Sequence, residues 1–362
     1  MQFNKIKLKD IADINMGQSP SGSSYNNNGR GIPFLQGNKT FGFLYPTIDT
    51  WTTEPKKIGK KNSVLMSVRA PVGDLNIANK DICIGRGLCS IEMKNGNNQY
   101  LYYLLKNSIK KIKMKSTGTV FESINRKELE NIEILDFDKS QQKKISKVLF
   151  DIDKKIELNI QTNDNLLKIG LELLKEDFNK KTEYEVLSNA IKFVKGKRPL
   201  DITPEIKEKY KKYLTIACLN GQELNYADPT KMVLSNNDLL MVMDGASSGD
   251  VYYTGQGIVG STLSRIDCID SNYISEFIYF IMKYYKDLIQ SKNTGSAIPH
   301  TDKVFVGNLK VPKLLIEEQE KYKTLLYKIL KNMNENKILE QLRDTLLPKL
   351  MNGEIDLDKI GI

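Results

Sequence analysis

Few residues in this chain could carry out a reaction. Asp81, Glu92 and Lys94 have the composition of a nuclease site, with carboxylates to hold a metal beside a lysine. Nothing equivalent stands in the second half, and acidic residues near lysines are common where 54 Lys and Arg meet 44 Asp and Glu. Gly255-Gln-Gly257-Ile-Val-Gly260 fits GxGxxG, which signifies dinucleotide binding only between a strand and a helix. Here it leads into Ser-Thr-Leu-Ser-Arg-Ile, a β-like run, so it reads as a turn into a strand. His300 is the one histidine, and no nucleophile is nominated beside it, so it reads as a loop residue. Cys83, Cys89, Cys218 and Cys268 lack zinc-ligand spacing. No catalytic residue, no metal site and no cofactor of its own are expected.

Residues suited to binding are more plentiful, and they sit in polar, glycine-rich loops. Arginine forks onto guanine and Asn or Gln onto adenine, whereas lysines and hydroxyls meet phosphates. The first half offers Gln18 and Ser19, then Gln36, Asn38, Lys39 and Thr40, then Arg69 and Arg86. The second offers Lys195, Lys197 and Arg198, then Asn220 and Gln222, Ser247 and Ser248, and finally Lys292 and Asn293. Such loops also make ordinary surface turns. A formal charge of +10 and a pI near 9.1 permit a polyanionic partner. Genomic bias toward Lys and Asn codons would give the same charge.

The elements that must position these loops occur twice. SQQKKISKVLFDIDKKIELNIQTNDNLLKIGLELLKEDF and IEEQEKYKTLLYKILKNMNENKILEQLRDTLLPKLMNGEI align without gaps, placing Gln142 on Gln319, Leu149 on Leu326, Ile152 on Ile329 and Asn159 on Asn336. Shorter matches keep nearly the same offset. Leu8 to Gly17 matches Leu187 to Gly196, Ser63 to Met66 matches Asp238 to Met241, and Ser116-Thr117-Gly118 matches Asn293-Thr294-Gly295. An ordered series of this kind marks a duplicated globular domain followed by a helix.

Within the first half, β-rich runs cover Ile32 to Leu35, Ser63 to Val68, Leu75 to Ala78 and Cys83 to Ile91. A helix pattern follows over Asn97 to Ile112, then a short helix at Arg126 to Glu130 and a strand at Ile132 to Leu135. The second half repeats the order. Its strands fall at Tyr213 to Cys218, Leu239 to Met243 and Ile258 to Ile266, its helix at Ile274 to Gln290 and its last strand at Asn308 to Val311.

In the two long helices, apolar residues alternate spacings of four and three, the mark of an a/d seam. That seam takes in Leu149, Ile152, Ile156 and Asn159 in one and Leu326, Ile329, Met333 and Asn336 in the other. Both turn polar at the same place. An antiparallel pair with Asn159 and Asn336 near the crossing is expected, the alternative being that each helix packs on its own domain alone. Helices of this length would span roughly 50–60 Å, enough to serve two short DNA segments about one helical turn, ~34 Å, apart. The fold class is therefore α+β, two similar domains joined by two long helices in an antiparallel coiled coil with an internal pseudo-two-fold. No secretory segment opens the chain and no apolar run reaches membrane-spanning length. With so few cysteines this suggests a reduced, cytoplasmic protein.

The residues of the helices resemble the DNA-specificity subunit of type I restriction-modification systems, over essentially the whole chain. The most specific piece is Leu342-Arg-Asp-Thr-Leu-Leu-Pro-Lys-Leu-Met-Asn-Gly-Glu-Ile355. Next come the helix starts at Gln142 and Gln319, Ile156-Glu-Leu-Asn159 and Leu173-Leu-Lys-Glu-Asp-Phe178. The resemblance implies target-recognition domains at 1–138 and 182–315, spacer helices at 139–181 and 316–353, and a tail at 354–362. It implies that each domain reads one half of an asymmetric bipartite site in double-stranded DNA. The helices would act as ruler and as docking surface for two methyltransferase subunits and, where present, two motor-nuclease subunits. S-adenosylmethionine, and ATP with Mg, would then belong to those partners. Neither an Asn-Pro-Pro-Tyr motif nor a Walker A sequence occurs. Two other readings stay open: a coiled-coil scaffold that binds no DNA, and a DNA-cleaving enzyme using Asp81, Glu92 and Lys94.

Overall fold

The repeated matches of the sequence become repeated elements in the computed structural model, which describes residues 5–115, 123–135, 137–253, 255–295, 298–355 and 357. The chain forms two compact units, one of Met1–Asn159 with Asn334–Ile362, the other of Ile160–Met333. Each unit takes a globular domain and part of both long helices. Among the described residues no helix is long and apolar enough to cross a membrane.

The first unit opens with β1 (Lys5–Lys7), α1 (Leu8–Ile11) and β2 (Ala12–Met16). Short strands follow: β3 (Tyr25–Asn26), β4 (Ile32–Leu35), β5 (Trp51–Thr52) and β6 (Ile58–Gly59). Then come β7 (Val64–Ser67), β8 (Leu75–Ile77), β9 (Ile82–Ile84) and β10 (Leu88–Met93). The domain closes with α2 (Asn98–Lys115), α3 (Arg126–Glu130) and β11 (Glu133–Leu135), before the long helix α4 (Lys139–Lys180). One sheet has the order β2-β10-β7-β8, a second β3-β5-β4-β9-β6, and β1 pairs with β11. Within the second sheet β4 and β9 run parallel, Phe34 opposite Cys83.

Local chemistry explains the helix starts. Asn97 Oδ1 accepts from the Tyr100 amide at 3.1 Å, which fixes the first turn of α2. Asn125 and Glu128 form a reciprocal capping box on α3 at 3.0 and 2.8 Å. Tyr100, Leu101, Leu104, Leu105 and Ile112 then lie on one face of α2, fully buried against Val64, Met66 and Ile91 of the sheet. Ile145, Leu149, Leu347, Leu350 and Met351 of the long helices close the same core. Each such side chain contributes about 1.5–3 kcal/mol by leaving water. A smaller core, Leu35, Leu65, Ile82, Ile84 and Leu88, glues the two sheets together.

The second unit repeats this plan. It runs β12 (Tyr184–Val186), α5 (Leu187–Ala190), β13 (Ile191–Lys195), β14 (Ile202–Thr203), β15 (Lys211–Leu214) and α6 (Ile216–Leu219). It continues with β16 (Tyr226–Ala227), β17 (Leu234–Asn236), β18 (Leu239–Val242), β19 (Val251–Tyr253), β20 (Gln256–Val259) and β21 (Leu263–Cys268). The last elements are α7 (Ser275–Tyr284), α8 (Lys286–Ser291), α9 (Lys303–Gly307), β22 (Lys310–Pro312) and the long helix α10 (Ile316–Met351). Its sheets have the orders β13-β21-β18-β19 and β14-β16-β15-β20-β17, and β12 pairs with β22. Strand for strand these are the orders of the first unit, down to the parallel pair β15 and β20. Duplication therefore extends to topology.

Several sequence expectations need correction. Cys83 to Ile91 is two strands, β9 and β10, separated by Gly85-Arg86-Gly87, and Ile258 to Ile266 is likewise divided between β20 and β21. Tyr213 to Cys218 is not one strand: Thr215 Oγ1 accepts from the Cys218 amide at 3.1 Å and starts α6. The helix expected over Ile274 to Gln290 breaks at Tyr285 into α7 and α8. GxGxxG, expected as a turn into a strand, is for the most part itself a strand, β20, and only its last glycine enters the turn toward β21. Ser116-Thr117-Gly118 lies outside the described residues.

The long helices run antiparallel inside each unit. In the first, Arg343 Nη1 meets Asp153 Oδ1 at 2.7 Å and Lys155 meets Glu335 at 3.2 Å. Asn159 Nδ2 donates to Asn336 Oδ1 at 2.8 Å, and both are buried. In the second, Asn332 donates to Asn163 at 2.8 Å, Tyr322 to Asp177 at 2.5 Å and Lys181 to Glu318 at 2.9 Å. Leu149, Ile156, Leu326 and Ile329 are buried as the seam requires. Ile152 is only half-buried because its neighbour Asp153 occupies the interior, and Met333 is 39% exposed because Asn163 and Asn332 fill the interface at that level. Each helix also packs on a domain, but the direct contacts between the helices exclude packing on a domain alone.

Gln142 and Gln319, matched in sequence, have matched roles. Gln142 donates to Phe137 O at 2.8 Å and accepts from Asn95 at 2.9 Å. Gln319 donates to Leu314 O at 3.0 Å and Asn272 O at 2.7 Å, and accepts from the Ile274 amide at 3.0 Å. Both buried amides pin the start of a long helix to the loop that begins the domain's main helix.

Candidate nucleic-acid interface

In the first unit, the strand ends draw the expected loop residues together. The Gly17 amide donates to Leu88 O and the Gln18 amide to Ile84 O, both at 2.9 Å, so the loop after β2 rests on the turn between β9 and β10. Ser19 Oγ donates to Gln36 Oε1 at 2.9 Å and accepts from the Arg86 amide at 3.2 Å. The Gly87 amide holds Gln36 O at 3.1 Å, and the Val68 amide holds Gly87 O at 2.9 Å, which brings the Arg69 segment to the same edge. Gln18, Gln36, Lys39, Arg69 and Arg86 are all exposed there. Beside them is a hollow of 240 Å³ lined by Gln36, Gly37, Lys39 and Thr40 over the rings of Tyr25 and Phe34. Asn38 is half-buried and its Nδ2 donates to Asp74 Oδ2 at 2.6 Å, so its amide is spent in part inside the domain.

Glycine is required at the base of this loop. A Cβ on Gly17 would stand 2.1 Å from Gly85 O, and one on Gly196 would stand 2.1 Å from Gly260 O. The two units share the constraint because they share the close approach.

In the second unit, the Lys197 amide donates to Val259 O at 3.1 Å, and the Gly260 amide to Leu214 O at 3.0 Å. Lys195, Lys197 and Arg198 stand exposed at that edge. Asn220 and Gln222 are exposed just past α6, and the Tyr252 hydroxyl donates to Asn220 at 3.2 Å. Burial, with Asp250 nearby, raises the Tyr252 phenol, so it remains a neutral donor. Ser247 is half-buried and Lys292 exposed. Ser248 must be removed from the candidate contacts. It is fully buried, its hydroxyl donating to Gly245 O at 2.6 Å and Pro299 O at 2.8 Å, while Asn293 ties to its carbonyl at 3.1 Å. Both residues brace the loop.

Sequence reasoning missed the partner of His300, whose Nδ1 lies 2.7 Å from Asp244 Oδ1. The backbones of Asp244 and His300 also form an isolated β-bridge, and the matching backbone bridge in the first unit joins Arg69 to Ser123. One edge thus carries an arginine in one unit and a His–Asp pair in the other.

The nuclease-like trio does not act together. Asp81 caps the Lys61 amide at 2.8 Å, Glu92 faces Lys60 at 3.5 Å, and Lys94 donates to the carbonyls of Lys9 and Asp10 at 2.7 and 3.3 Å. No cluster of three or more metal-ligating side chains occurs among the described residues.

Comparison with known proteins gives a consistent result. Residues 2–168 match the family model for the type I restriction modification DNA specificity domain. A putative type I restriction enzyme MjaX specificity subunit of Methanocaldococcus jannaschii is 43% identical over 157 residues, which cover 43% of this chain and 37% of that protein. The type I restriction enzyme MjaIX specificity subunit of the same organism is 26% identical over 409 residues, covering 98% of this chain and 94% of the relative. The crystal structure of the type I restriction-modification system S subunit from M. genitalium superposes with a TM-score of 0.63 at 18% identity, covering 97% and 96% of the two chains, a likeness of fold. Residues 2–168 are thus similar to the DNA specificity domain of type I restriction-modification systems, and the likeness of fold to an S subunit extends over nearly the whole chain.

Proposed function

We propose that this chain is the sequence-reading, non-catalytic subunit of a type I restriction-modification complex, each globular unit reading one part of a split site in double-stranded DNA. One observation carries the reading. The same topology brings loops with forked, amide and cationic side chains to the same edge of both units, yet the residues differ: Gln18, Ser19 and Arg86 against Lys197, Arg198 and Ser261. A shared frame with unlike contacts suits two unlike half-sites.

The paired helices supply the spacer and the surface on which two methyltransferase subunits and, where present, two motor-nuclease subunits seat. S-adenosylmethionine, and ATP with Mg, belong to those partners, and the complex works in the cytoplasm. Methylome sequencing of cells expressing the chain with its methyltransferase subunits, against cells lacking the chain, tests this. The expected result is adenine methylation at one asymmetric bipartite sequence that vanishes with the chain. Unchanged methylation, or a perfect palindrome from a single copy, would overturn it.

A further inference from the structure

The loop after the opening strand differs between the units in one conspicuous place. It reads Gly17-Gln18-Ser19-Pro20-Ser21 in the first and Gly196-Lys197-Arg198-Pro199-Leu200 in the second. Its frame is shared: the glycine amides donate to Leu88 O and Leu263 O, both at 2.9 Å, and both prolines are buried. On that frame the first unit shows a serine and the second a leucine. Leu200 is 105% exposed, barer than any other large apolar side chain among the described residues. Slack does not explain this, because Lys197 is hydrogen-bonded on one side and Asp201 accepts from Tyr210 on the other.

The surroundings of Leu200 are cationic. Residues 195–212 hold seven Lys and Arg against three carboxylates, whereas the counterpart, residues 16–33, holds Arg30 alone. Lys207, 3.9 Å from Asp201, brings its own segment beside the tip, and with it Ile206, 78% exposed. An apolar point flanked by cations is the device with which proteins pry base steps apart: the cations seat on phosphates and the wedge enters the stack, kinking the duplex. Water gives such a leucine no reason to stand out.

We propose that Leu200 is a wedge that unstacks one base step in the part of the target read by the second unit, with Lys197 and Arg198 seating it on the backbone. This rests on the DNA-reading function proposed above. It makes recognition by the second unit depend on how easily that step deforms, favouring a pyrimidine–purine step. The first unit, with Ser21, reads its part without unstacking.

The test uses the full chain assembled with its methyltransferase subunits, on duplexes carrying the target found by methylome sequencing. 2-Aminopurine is placed at successive positions through both parts other than the methylated adenines, which the methyltransferase itself turns out of the stack. The expected result is a several-fold rise in fluorescence at one step of one part only, abolished by Leu200→Ser even when the complex is raised in concentration until the duplex is fully bound. A bound, methylated duplex showing no rise, or the same rise with Leu200→Ser, would overturn the wedge alone. Absence of any methylated target would overturn the DNA-reading function and the wedge together.

Discussion

Arg343→Met should markedly destabilise the first unit, because its buried guanidinium balances a buried carboxylate. Asp153 is completely buried, and its carboxylate accepts from Arg343 Nη1 at 2.7 Å and from the Tyr103 hydroxyl at 2.8 Å. Removing the guanidinium leaves a buried charge with a phenol and, 3.9 Å away, the Lys106 ammonium. Breaking a buried pair from one side costs about 3–5 kcal/mol. At about 2–4 °C per kcal/mol for a unit of this size, the loss is roughly 6–20 °C in melting temperature. Trp51, the one tryptophan, lies in the first unit, so its fluorescence in a urea or thermal titration follows that unit specifically. The paired replacement Asp153→Leu with Arg343→Met removes both charges and should recover all but about 1 kcal/mol. A single variant costing under about 1 kcal/mol, or a paired variant as unstable as the single one, would refute this account of the helix junction.

Gly170→Ala places a Cβ 2.1 Å from the Phe280 ring, so the second unit should lose about 1–3 kcal/mol in denaturation followed by circular dichroism, with Phe280→Leu restoring most of it. Lys197→Ala in the assembled complex should weaken DNA binding about equally for all sequences and lower the slope of log affinity against log salt by about 1. Burial pushes the Tyr279 phenol up to about 12. Folding then favours the neutral form, so that contribution is whole below about pH 10 and declines by about 1.4 kcal/mol per unit as pH rises toward 12. Tyr279→Phe should flatten that decline in urea titrations at high pH.

What could be read in the sequence was whatever leaves a periodic or repeated trace. The offset between Gln142 and Gln319 foretold two helix starts with one job, and the offset series foretold two domains of one plan. Parallel pairing of β4 with β9 left no trace, because alternation along a strand says nothing of its neighbour's direction. Apolar continuity hid the breaks at Gly85-Arg86-Gly87 and at Thr215, although the glycines and the threonine cap were their signals. Asp153 was invisible as an interior residue for the opposite reason. Its burial depends on Arg343, 190 positions away, and a polar letter on a helix reads as a solvent face until its partner is known. For the candidate loops, composition picked out residues that the fold gathers at one edge, while Ser248 shows that a hydroxyl serves a turn as readily as a ligand.

One consequence of the chain's division concerns its synthesis. Leu347, Leu350, Met351 and Leu357 complete the core that Leu8, Tyr100 and Leu105 begin. A ribosome adding roughly 5–20 residues per second needs on the order of 12–50 s to get from one to the other. Through that interval the nascent first domain shows an uncovered apolar flank, and a message truncated near its end leaves it so for good. Chaperone dependence should therefore fall on the half made first, and damage to the last exon-length of coding sequence should be felt at the opposite end of the polypeptide.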